Sequence, residues 1–352
     1  MEILIQEPMA RVLGSIFVAL TLSLAVGPLA IFLAKKIGAI DVPGSAAHKK
    51  HSKTTPLAGG LVIVITLPVL IVFSGLWRES VLYPIFLGGV VIFFFGIADD
   101  IVGFSASKKF SGQFLATSVL VYSGMTVRFL ETANLPLSLS VVVILSWALT
   151  FFWVVGITNA FNLIDSMDGL LAGLTVIMAS FFTFFALMSG QVELAQFSAL
   201  LVGVSAVLYF YNRTPAHFFL GDSGSQLIGF LLSAIAILYR PPDLHPGSTW
   251  FVPILLLAVP IFDTSLVTLS RLRRGKPLFQ ADRAHTYHRL VQLGFSAKQA
   301  VLVIHISAFL LSLLALLAMF LPPNTAMLLF FCTLLLGGFL IVFFEVSVKI
   351  EE

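Results

Sequence analysis

The sequence predicts an all-α membrane protein that crosses the bilayer many times. Hydrophobic residues make up 59% of the 352 residues, charged residues make up 11%, and the mean hydropathy is +1.04. The chain also holds 34 phenylalanines, far more than a soluble domain of this length needs for its core. Apolar runs of about 18 residues or more, long enough to span a bilayer as a helix, recur along the whole chain. These observations exclude a soluble globular protein.

Helices are expected in these runs because a bilayer offers no water to backbone groups, and because the runs are about twice as long as a barrel strand. No soluble domain is left over, so we expect one integral membrane domain over residues 1–352. Glu2 and Glu7 lie where a signal peptide would be basic, so we expect the first run to remain as a helix. We predict eleven spans, with ten as the alternative count, near residues 11–34, 57–76, 81–98, 110–128, 139–160, 169–188, 194–211, 217–239, 249–270, 299–321 and 324–344.

The distribution of basic residues predicts the orientation of the chain. Sixteen of the 20 Lys and Arg residues fall in alternate loops and the C-terminal tail. Cytoplasmic loops of membrane proteins carry such an excess of Lys and Arg. The N-terminus is therefore predicted outside and the C-terminus in the cytoplasm. The predicted cytoplasmic loops lie near residues 35–56, 99–109, 161–168, 212–216 and 271–298.

Acidic and amide residues gather at the ends of apolar runs on this same face. A carboxylate at membrane depth is costly, so such clusters indicate function, although a single one is also explained as a solvated helix end. The adjacent pair Asp99 and Asp100 is less easily explained in that way. The clusters comprise Asp99 and Asp100 in GIADD, Asn162, Asp165 and Asp168 in NAFNLIDSMDG, and Asp222 in FLGDSGS.

The acidic clusters predict a site for a hard divalent cation. Asn162, Asp165 and Asp168 recur every three residues, so a helix would place them in one band. An amide oxygen beside carboxylates suits Mg²⁺, and Mn²⁺ is the alternative cation. Asp222 is open to two interpretations, a helix N-cap or a metal ligand, and the other clusters on the same face favour the ligand.

Two basic segments predict binding of an anionic group. The loop RLRRGKPLFQADRAHTYHR contains Arg283, His285, His288 and Arg289, and arginine forks with imidazoles suit a diphosphate. A zinc site at the two histidines is the weaker alternative, because zinc needs a third protein ligand. Lys53 belongs to a second basic segment, which precedes two adjacent glycines.

Those glycines, and one carboxylate within a span, leave alternatives open. Gly59 and Gly60 permit either close helix packing or close approach of the backbone to a ligand. Asp263 in VPIFDTS is a site candidate because it lies inside an apolar run, but pairing with a neighbouring helix explains it equally well.

These motifs, in this order, resemble the polyprenyl-phosphate N-acetylhexosamine-1-phosphate transferase family. The resemblance rests on KHSKTTPLAGG, GIADD with Lys109 nine residues after Asp100, NAFNLIDSMDG, FLGDSGS, PIFD and ADRAHTYHR. It runs from about residue 50 to 290. PLAGG and the separated histidines look like the WecA and TagO branch, whereas the MraY branch carries three consecutive histidines. Tyr287 departs from the commoner histidine of the first branch.

The resemblance implies an enzyme that transfers a sugar 1-phosphate from a UDP-sugar to a polyprenyl phosphate and releases UMP. Its pattern matches Asn162 and Asp222 to the Mg²⁺ ligands and Asp168 to a nucleotide contact. Asp99 and Asp100 match the acceptor end, as base or positioning groups, and Lys109 matches the cation on the phosphates. His285, His288 and Arg289 match the nucleotide-sugar loop. The branch implies UDP-GlcNAc and undecaprenyl phosphate as substrates, in the first step of a cell-surface polysaccharide.

A phosphate monoester has a second pKa near 6, so the acceptor is mostly dianionic at pH 7. Our hypothesis is direct attack, with Asp99 and Asp100 orienting the acceptor and the cation. The alternatives are the MraY-type reaction on UDP-MurNAc-pentapeptide, a cation-coupled transporter and a CDP-alcohol phosphotransferase. The sequence shows no internal repeat typical of transporters and lacks the expected CDP-alcohol spacing.

The expected location is the bacterial inner (plasma) membrane, with the active site on the cytoplasmic face. The expected partners are a UDP-sugar, a polyprenyl phosphate and the membrane itself. No nucleic-acid partner is expected. The oligomeric state is open, and a homodimer is one alternative.

Overall fold

The computed structural model describes residues 2–43, 54–132, 136–277 and 284–348. It divides the chain into two compact units, Met1–Tyr239 and Arg240–Glu352. Helices form most of both units. The prediction of an all-α polytopic membrane protein is confirmed.

The first unit carries nine α-helices and a short antiparallel strand pair within the described residues. Two short 3₁₀ helices, Leu76–Arg78 and Ser80–Leu82, precede α3. The elements are α1 (Glu2–Ile37), β1 (Ile40–Asp41), β2 (Thr55–Pro56), α2 (Gly59–Phe73), α3 (Tyr83–Val102), α4 (Ala106–Tyr122), α5 (Phe129–Thr132), α6 (Leu139–Ile164), α7 (Leu170–Met188), α8 (Val192–Asn212) and α9 (Gly221–Leu238).

The second unit is built on two long helices and a broken one. In it α14 packs against α11, α12 and α13, while α15 packs against α10 and α12. The elements are α10 (Pro246–Thr249), α11 (Val252–Leu256), α12 (Ala258–Arg273), α13 (Thr286–Gln292), α14 (Ala297–Met319) and α15 (Pro323–Ser347).

A helix lies in each of the eleven predicted spans, but the helices differ in length. Among the described residues, eight are long and apolar enough to cross a membrane, and the segment Pro246–Leu256 with α12, bent by 65°, makes a ninth if the pair is counted as one span. The helix α2 has only 15 residues, because Gly75 (φ 78°) turns the chain just after it. The helix α4 starts with polar turns that contain Lys108 and Lys109. Eleven crossings therefore remain a prediction.

The centre of the first unit is α9, of which 83% of the residues are buried. It packs against α2, α3 and α6. Phe161 of α6 and Phe230 of α9 are fully buried between these helices. Burial on all sides suits a helix enclosed by other helices, and it fixes the direction in which the first residues of α9 point.

The start of α9 is tied to the segment before α2. The backbone N–H of Phe219 donates to the carbonyl of Pro56 (2.9 Å), and the N–H of Ala58 donates to the carbonyl of Phe219 (3.1 Å). Thr55 and Pro56 also pair with β1. The PLAGG motif thus joins two loops and brings the first turns of α2 and α9 together.

Glycines permit this close approach of helices. A Cβ atom on Gly60 would lie 2.4 Å from Ser223 Oγ, and one on Gly96 of α3 would lie 2.5 Å from Ser223 Cα. Neither position has room for a side chain. Of the two interpretations of Gly59 and Gly60, the structure supports close helix packing, since a Cβ on Gly59 would also lie 2.7 Å from Leu220 Cα.

Candidate active site

One group of polar and charged side chains forms where four helices meet: the end of α3, the first turns of α4, the end of α6 and the start of α9. We call its members, Asp99, Lys109, Asn162 and Asp222, the ion cluster. Lys109 Nζ lies 2.5 Å from Asp99 Oδ2 and 2.8 Å from Asp222 Oδ2. One ammonium therefore bridges two carboxylates that are 123 residues apart in sequence. The Lys109 and Asp222 side chains are 26% and 27% exposed, so a ligand can reach them, whereas Asp99 is buried.

Asp100 binds the start of α9. Its Oδ1 accepts the backbone N–H of Asp222 (2.7 Å), and its Oδ2 accepts the backbone N–H (3.1 Å) and the hydroxyl (2.6 Å) of Ser223. A carboxylate at a helix N-terminus satisfies free N–H groups and complements the helix dipole. Asp100 is thus an N-cap supplied by another helix.

The residue that precedes Asp222 allows this contact. Gly221 has φ 72°, in the left-handed region, and a Cβ there would lie 2.7 Å from Asp100 Oδ2. The N-cap position of α9 is Leu220, and Asp222 lies inside the first turn of the helix. The alternative interpretation of Asp222 as the N-cap is therefore not what the structure shows, and its carboxylate is available to Lys109.

Asn162 completes this cluster from α6. Its amide Nδ2 donates to Asp222 Oδ1 and to Ser225 Oγ (2.9 Å). Ser225 Oγ in turn donates to the Gly221 carbonyl (2.9 Å). The two predicted metal ligands are therefore in direct contact. Ser223 and Ser225 were not predicted as site residues, although both belong to the FLGDSGS motif.

Asp165 and Asp168 lie beyond the end of α6, in the turn before α7. The expected helical band is not formed, because α6 ends at Ile164 and the chain turns at Gly169 (φ 74°). Asp165 is half-buried. Burial, followed by the charges of Asp222, Asp100 and Asp168, raises the pKa of Asp165 to about 8.

Asp168 is held by the loop that follows α8. Thr214 Oγ1 donates to Asp168 Oδ2 (3.2 Å). Buried Asn212 joins the two loops, because its Oδ1 accepts the N–H of Gly169 (2.9 Å) and its Nδ2 donates to the Phe218 carbonyl (3.1 Å). Asn212 was not singled out in the sequence, where it ends an apolar helix before Arg213.

The donor set of this cluster fits a hard cation. Asp222 and Asn162 offer a carboxylate and an amide oxygen, and the Asp99 carboxylate lies nearby, paired with Lys109. Among the described residues no group of three or more His, Cys, Asp or Glu side chains forms a metal cage. Magnesium is commonly bound through one or two carboxylates together with substrate phosphates, so it does not need such a cage.

The second unit contains a buried carboxylate–histidine pair. Asp263 Oδ2 lies 2.8 Å from His285 Nδ1, and Asp263 Oδ1 accepts the backbone N–H of Thr286 (2.7 Å). Of the two interpretations of Asp263, pairing with another element is the one observed. His288 lies one turn further along α13 and is half-buried. Lys53 and Arg283 lie outside the described residues.

Arg289 is fully buried within the second unit. Its Nε donates to the Ala284 carbonyl (2.9 Å), its Nη1 to the Phe344 carbonyl (2.8 Å), and its Nη2 to Ser270 Oγ (3.0 Å) and to a Glu345 carboxylate oxygen. The guanidinium thus anchors the start of α13 to α12 and α15. Substrate contact by Arg289, His285 and His288 stays a prediction.

Comparison with known proteins identifies the family. A sequence model of glycosyl transferase family 4 matches residues 82–240. The chain is 34% identical over 355 aligned residues to a Bacillus subtilis protein named as a probable undecaprenyl-phosphate N-acetylglucosaminyl 1-phosphate transferase, covering 99% of this chain and 96% of the relative. The chain belongs to glycosyl transferase family 4. The predicted membership of the polyprenyl-phosphate sugar-1-phosphate transferases is confirmed.

Other glycosyl transferase family 4 relatives carry related names. A Mycobacterium tuberculosis decaprenyl-phosphate N-acetylglucosaminephosphotransferase is 31% identical, over 80% of this chain and 76% of the relative. A Thermoanaerobacter phospho-N-acetylmuramoyl-pentapeptide-transferase is also 31% identical, over 80% of this chain and 90% of the relative. Two of these three relatives are named for the transfer of N-acetylglucosamine phosphate to a polyprenyl phosphate.

The region matched by the glycosyl transferase family 4 model contains the whole ion cluster. It begins at the start of α3 and ends just after α9. The Asp263–His285 pair lies beyond it, within the part aligned with the Bacillus subtilis relative.

Proposed function

We propose that this protein transfers N-acetylglucosamine 1-phosphate from UDP-GlcNAc to undecaprenyl phosphate and releases UMP. The observation that carries the proposal is the bridge from Lys109 to Asp99 and Asp222, with Asn162 beside it, on a chain that aligns over 99% of its length with the Bacillus subtilis relative.

In the proposed reaction an oxygen of the lipid phosphate forms a bond with the sugar-bearing phosphorus of UDP-GlcNAc. The bond from that phosphorus to the bridging oxygen breaks, and the oxygen leaves with UMP. The lipid phosphate is mostly dianionic at pH 7, so it needs no general base. The chemistry therefore depends on positioning and on charge neutralisation.

The ion cluster has the groups for this task. The Lys109 ammonium points between two carboxylates and is partly exposed, so it is held in place to face a phosphate. Asp99 is buried and anchors that ammonium, while Asp100 anchors the backbone of Asp222. We assign Asp99 and Asp100 positioning roles rather than the role of a base.

We also propose that Mg²⁺, or Mn²⁺ in its place, is held by Asn162 and Asp222. Bound there, the cation would neutralise diphosphate charge that Lys109 alone leaves unbalanced. Nearby Asp165 and Asp168 would face the nucleotide, with Asp168 oriented by Thr214.

The proposed location is the bacterial inner membrane, with eleven crossings, the N-terminus outside, and the C-terminus and ion cluster at the cytoplasmic face. The support is the concentration of 16 of 20 Lys and Arg residues in alternate loops and the C-terminal tail. This placement lets the lipid stay in the bilayer while its phosphate meets a soluble UDP-sugar.

The test is turnover by purified protein in detergent with undecaprenyl phosphate and Mg²⁺. We expect UMP release with UDP-GlcNAc, matched one to one by a lipid-linked sugar, and none when the lipid is omitted. UDP-MurNAc-pentapeptide is the comparison substrate, because one relative carries that name. Turnover of the pentapeptide substrate alone would reject the GlcNAc assignment, and absence of turnover with both would reject the enzyme class.

A further inference from the structure

Three amide side chains interlock inside the first unit, close to the ion cluster but distinct from it. Gln113 of α4 donates through Nε2 to Gln226 Oε1 of α9 (3.0 Å) and more weakly to Asn159 Oδ1 of α6 (3.4 Å). Asn159 Nδ2 donates back to Gln113 Oε1 (2.6 Å). Gln113 and Gln226 are each only 2% exposed. We call Gln113, Asn159 and Gln226 the amide triad.

Each member of the amide triad lies one helical turn from a residue of the ion cluster. On α4, Gln113 follows Lys109 by four residues, and on α9, Gln226 follows Asp222 by four. On α6, Asn159 precedes Asn162 by three. Residues three or four apart share one face of a helix. Since α6 ends at the ion cluster while α4 and α9 start near it, all three amides lie on the same side of the ion cluster, one turn further into the helix bundle.

We propose that the amide triad is a positioning device that sets the relative rotation and register of α4, α6 and α9. A slip or rotation of any one helix would break a triad bond and would move Lys109, Asn162 or Asp222 out of contact. This inference rests on the proposed function, since it concerns the geometry of that active site.

The chemistry of amides suits this task. Each amide is both donor and acceptor, so three of them can join three helices without placing a charge in a medium of low dielectric. Asn159 Nδ2 also donates to the Val155 carbonyl of its own helix (2.8 Å), which fixes its rotamer. Polar side chains between packed membrane helices act as specific contacts where apolar packing alone leaves several registers close in energy.

The variants Gln113→Met and Gln226→Met remove these bonds with little change of volume. The matched control is Thr117→Val. Thr117 is fully buried one turn further along α4, and its hydroxyl donates only within that helix, to the Gln113 carbonyl (2.7 Å). We expect each triad variant to lower kcat about tenfold or more, with KM for UDP-GlcNAc within about twofold, because the reacting groups lose alignment. Thr117→Val should stay within about twofold of wild type in both parameters.

A second readout does not depend on turnover. The affinity for Mn²⁺ can be measured from the electron paramagnetic resonance signal of free Mn²⁺. It should fall about tenfold in both triad variants and not in Thr117→Val, because Asn162 and Asp222 lose their spacing. The double variant should lose no more kcat or Mn²⁺ affinity than the poorer single variant, since each single variant already breaks the amide triad. Gln226→Glu, held protonated by burial, keeps a neutral acceptor for Gln113 Nε2, and it should recover most of the activity lost in Gln226→Met.

The two proposals fail in different ways. Wild-type protein that binds Mn²⁺ but releases no UMP would reject the proposed function, and the Mn²⁺ comparison would still test the amide triad. Triad variants with kcat and Mn²⁺ affinity equal to those of Thr117→Val would overturn the inference. Variants with a lower melting temperature but unchanged kcat and Mn²⁺ affinity would also overturn the inference, because a purely structural role predicts that result.

Discussion

The carboxylate of Asp100 accepts the backbone N–H of Asp222 at 2.7 Å, so the residue at the end of α3 determines where the first turn of α9 lies. The adjacent Asp99 instead binds Lys109 at 2.5 Å. Two neighbours that look equivalent in the sequence therefore have separate tasks. Asp100 positions the backbone of Asp222, and Asp99 positions the Lys109 ammonium.

Replacement of Asp100 tests its capping role. Asp100→Asn keeps one oxygen acceptor but loses the charge at the start of α9, and we expect kcat to fall about 100-fold and the melting temperature to fall. Ser223→Ala, which removes only one of the three bonds, should cost less than Asp100→Asn. If Asp100→Asn were inactive at pH 7 and recovered activity as pH rose, Asp100 would be a base and the direct-attack hypothesis would be wrong.

Lys109 is expected to be essential because two carboxylates depend on its charge. Lys109→Met leaves Asp99 and Asp222 facing each other without a cation, so kcat should fall at least about 100-fold. Lys108→Met is the matched control, since Lys108 is exposed and lies over the Phe104 ring (5.3 Å). Steady-state UMP release from both variants is the measurement. Equal losses in the two variants would contradict a specific role for Lys109.

Asp165 should make the metal-free protein less stable as pH rises. Its pKa in the folded chain is about 8, above the usual value of 3.8, so between these values the folded state holds a proton that the unfolded state has lost. Stability contributed by this group therefore declines from about pH 4 to about pH 8. Melting temperatures between pH 5 and pH 9 in a chelator should fall less steeply for Asp165→Asn than for wild type.

The control for this pH series is Asp243→Asn, at an exposed position in the second unit. It should leave the slope unchanged. An Asp165→Asn protein with the wild-type slope would show that Asp165 is not responsible for the pH dependence. Mg²⁺ should restore stability at high pH, because a bound cation favours the ionised carboxylates.

The glycines around Ser223 should not tolerate a methyl group. Gly60→Ala places a Cβ 2.4 Å from Ser223 Oγ, which forces α2 away from the start of α9. We expect a loss of several degrees in melting temperature and a loss of kcat. Gly156→Ala in α6 is the control, because its Cβ meets nothing within 4 Å. That variant should be as stable as wild type or more so. Unchanged activity in Gly60→Ala would contradict the packing.

The proposed orientation predicts which loops a reagent reaches from outside the cell. In a Cys332→Ser background, a cysteine at exposed Ser80 should react with a membrane-impermeant maleimide on intact cells. A cysteine at exposed Ser107 should react only after the membrane is permeabilised. The reverse pattern would invert the topology and would place the ion cluster outside.

Local signals were enough to single out the residues that meet in the ion cluster. Asp222, Asn162 and Lys109 each lie in a motif that places a polar group at the end of an apolar run, where burial is costly without a function. Hydropathy likewise predicted a helix in each long apolar run, and the structure has a helix there. The bend between α11 and α12 and the early end of α2 were not predicted, because both arise from local breaks inside continuous apolar runs.

The sequence by itself determined that this is an all-α membrane protein of glycosyl transferase family 4, because composition and motif order are properties of the chain alone. Only the tertiary structure decided that Asp100 caps α9 while Asp99 binds Lys109. It also decided that Asp165 lies in a turn and that Gln113, Asn159 and Gln226 meet. The physical reason is that each of these roles depends on which partner lies within hydrogen-bond distance, and the partners are up to 123 residues away in sequence.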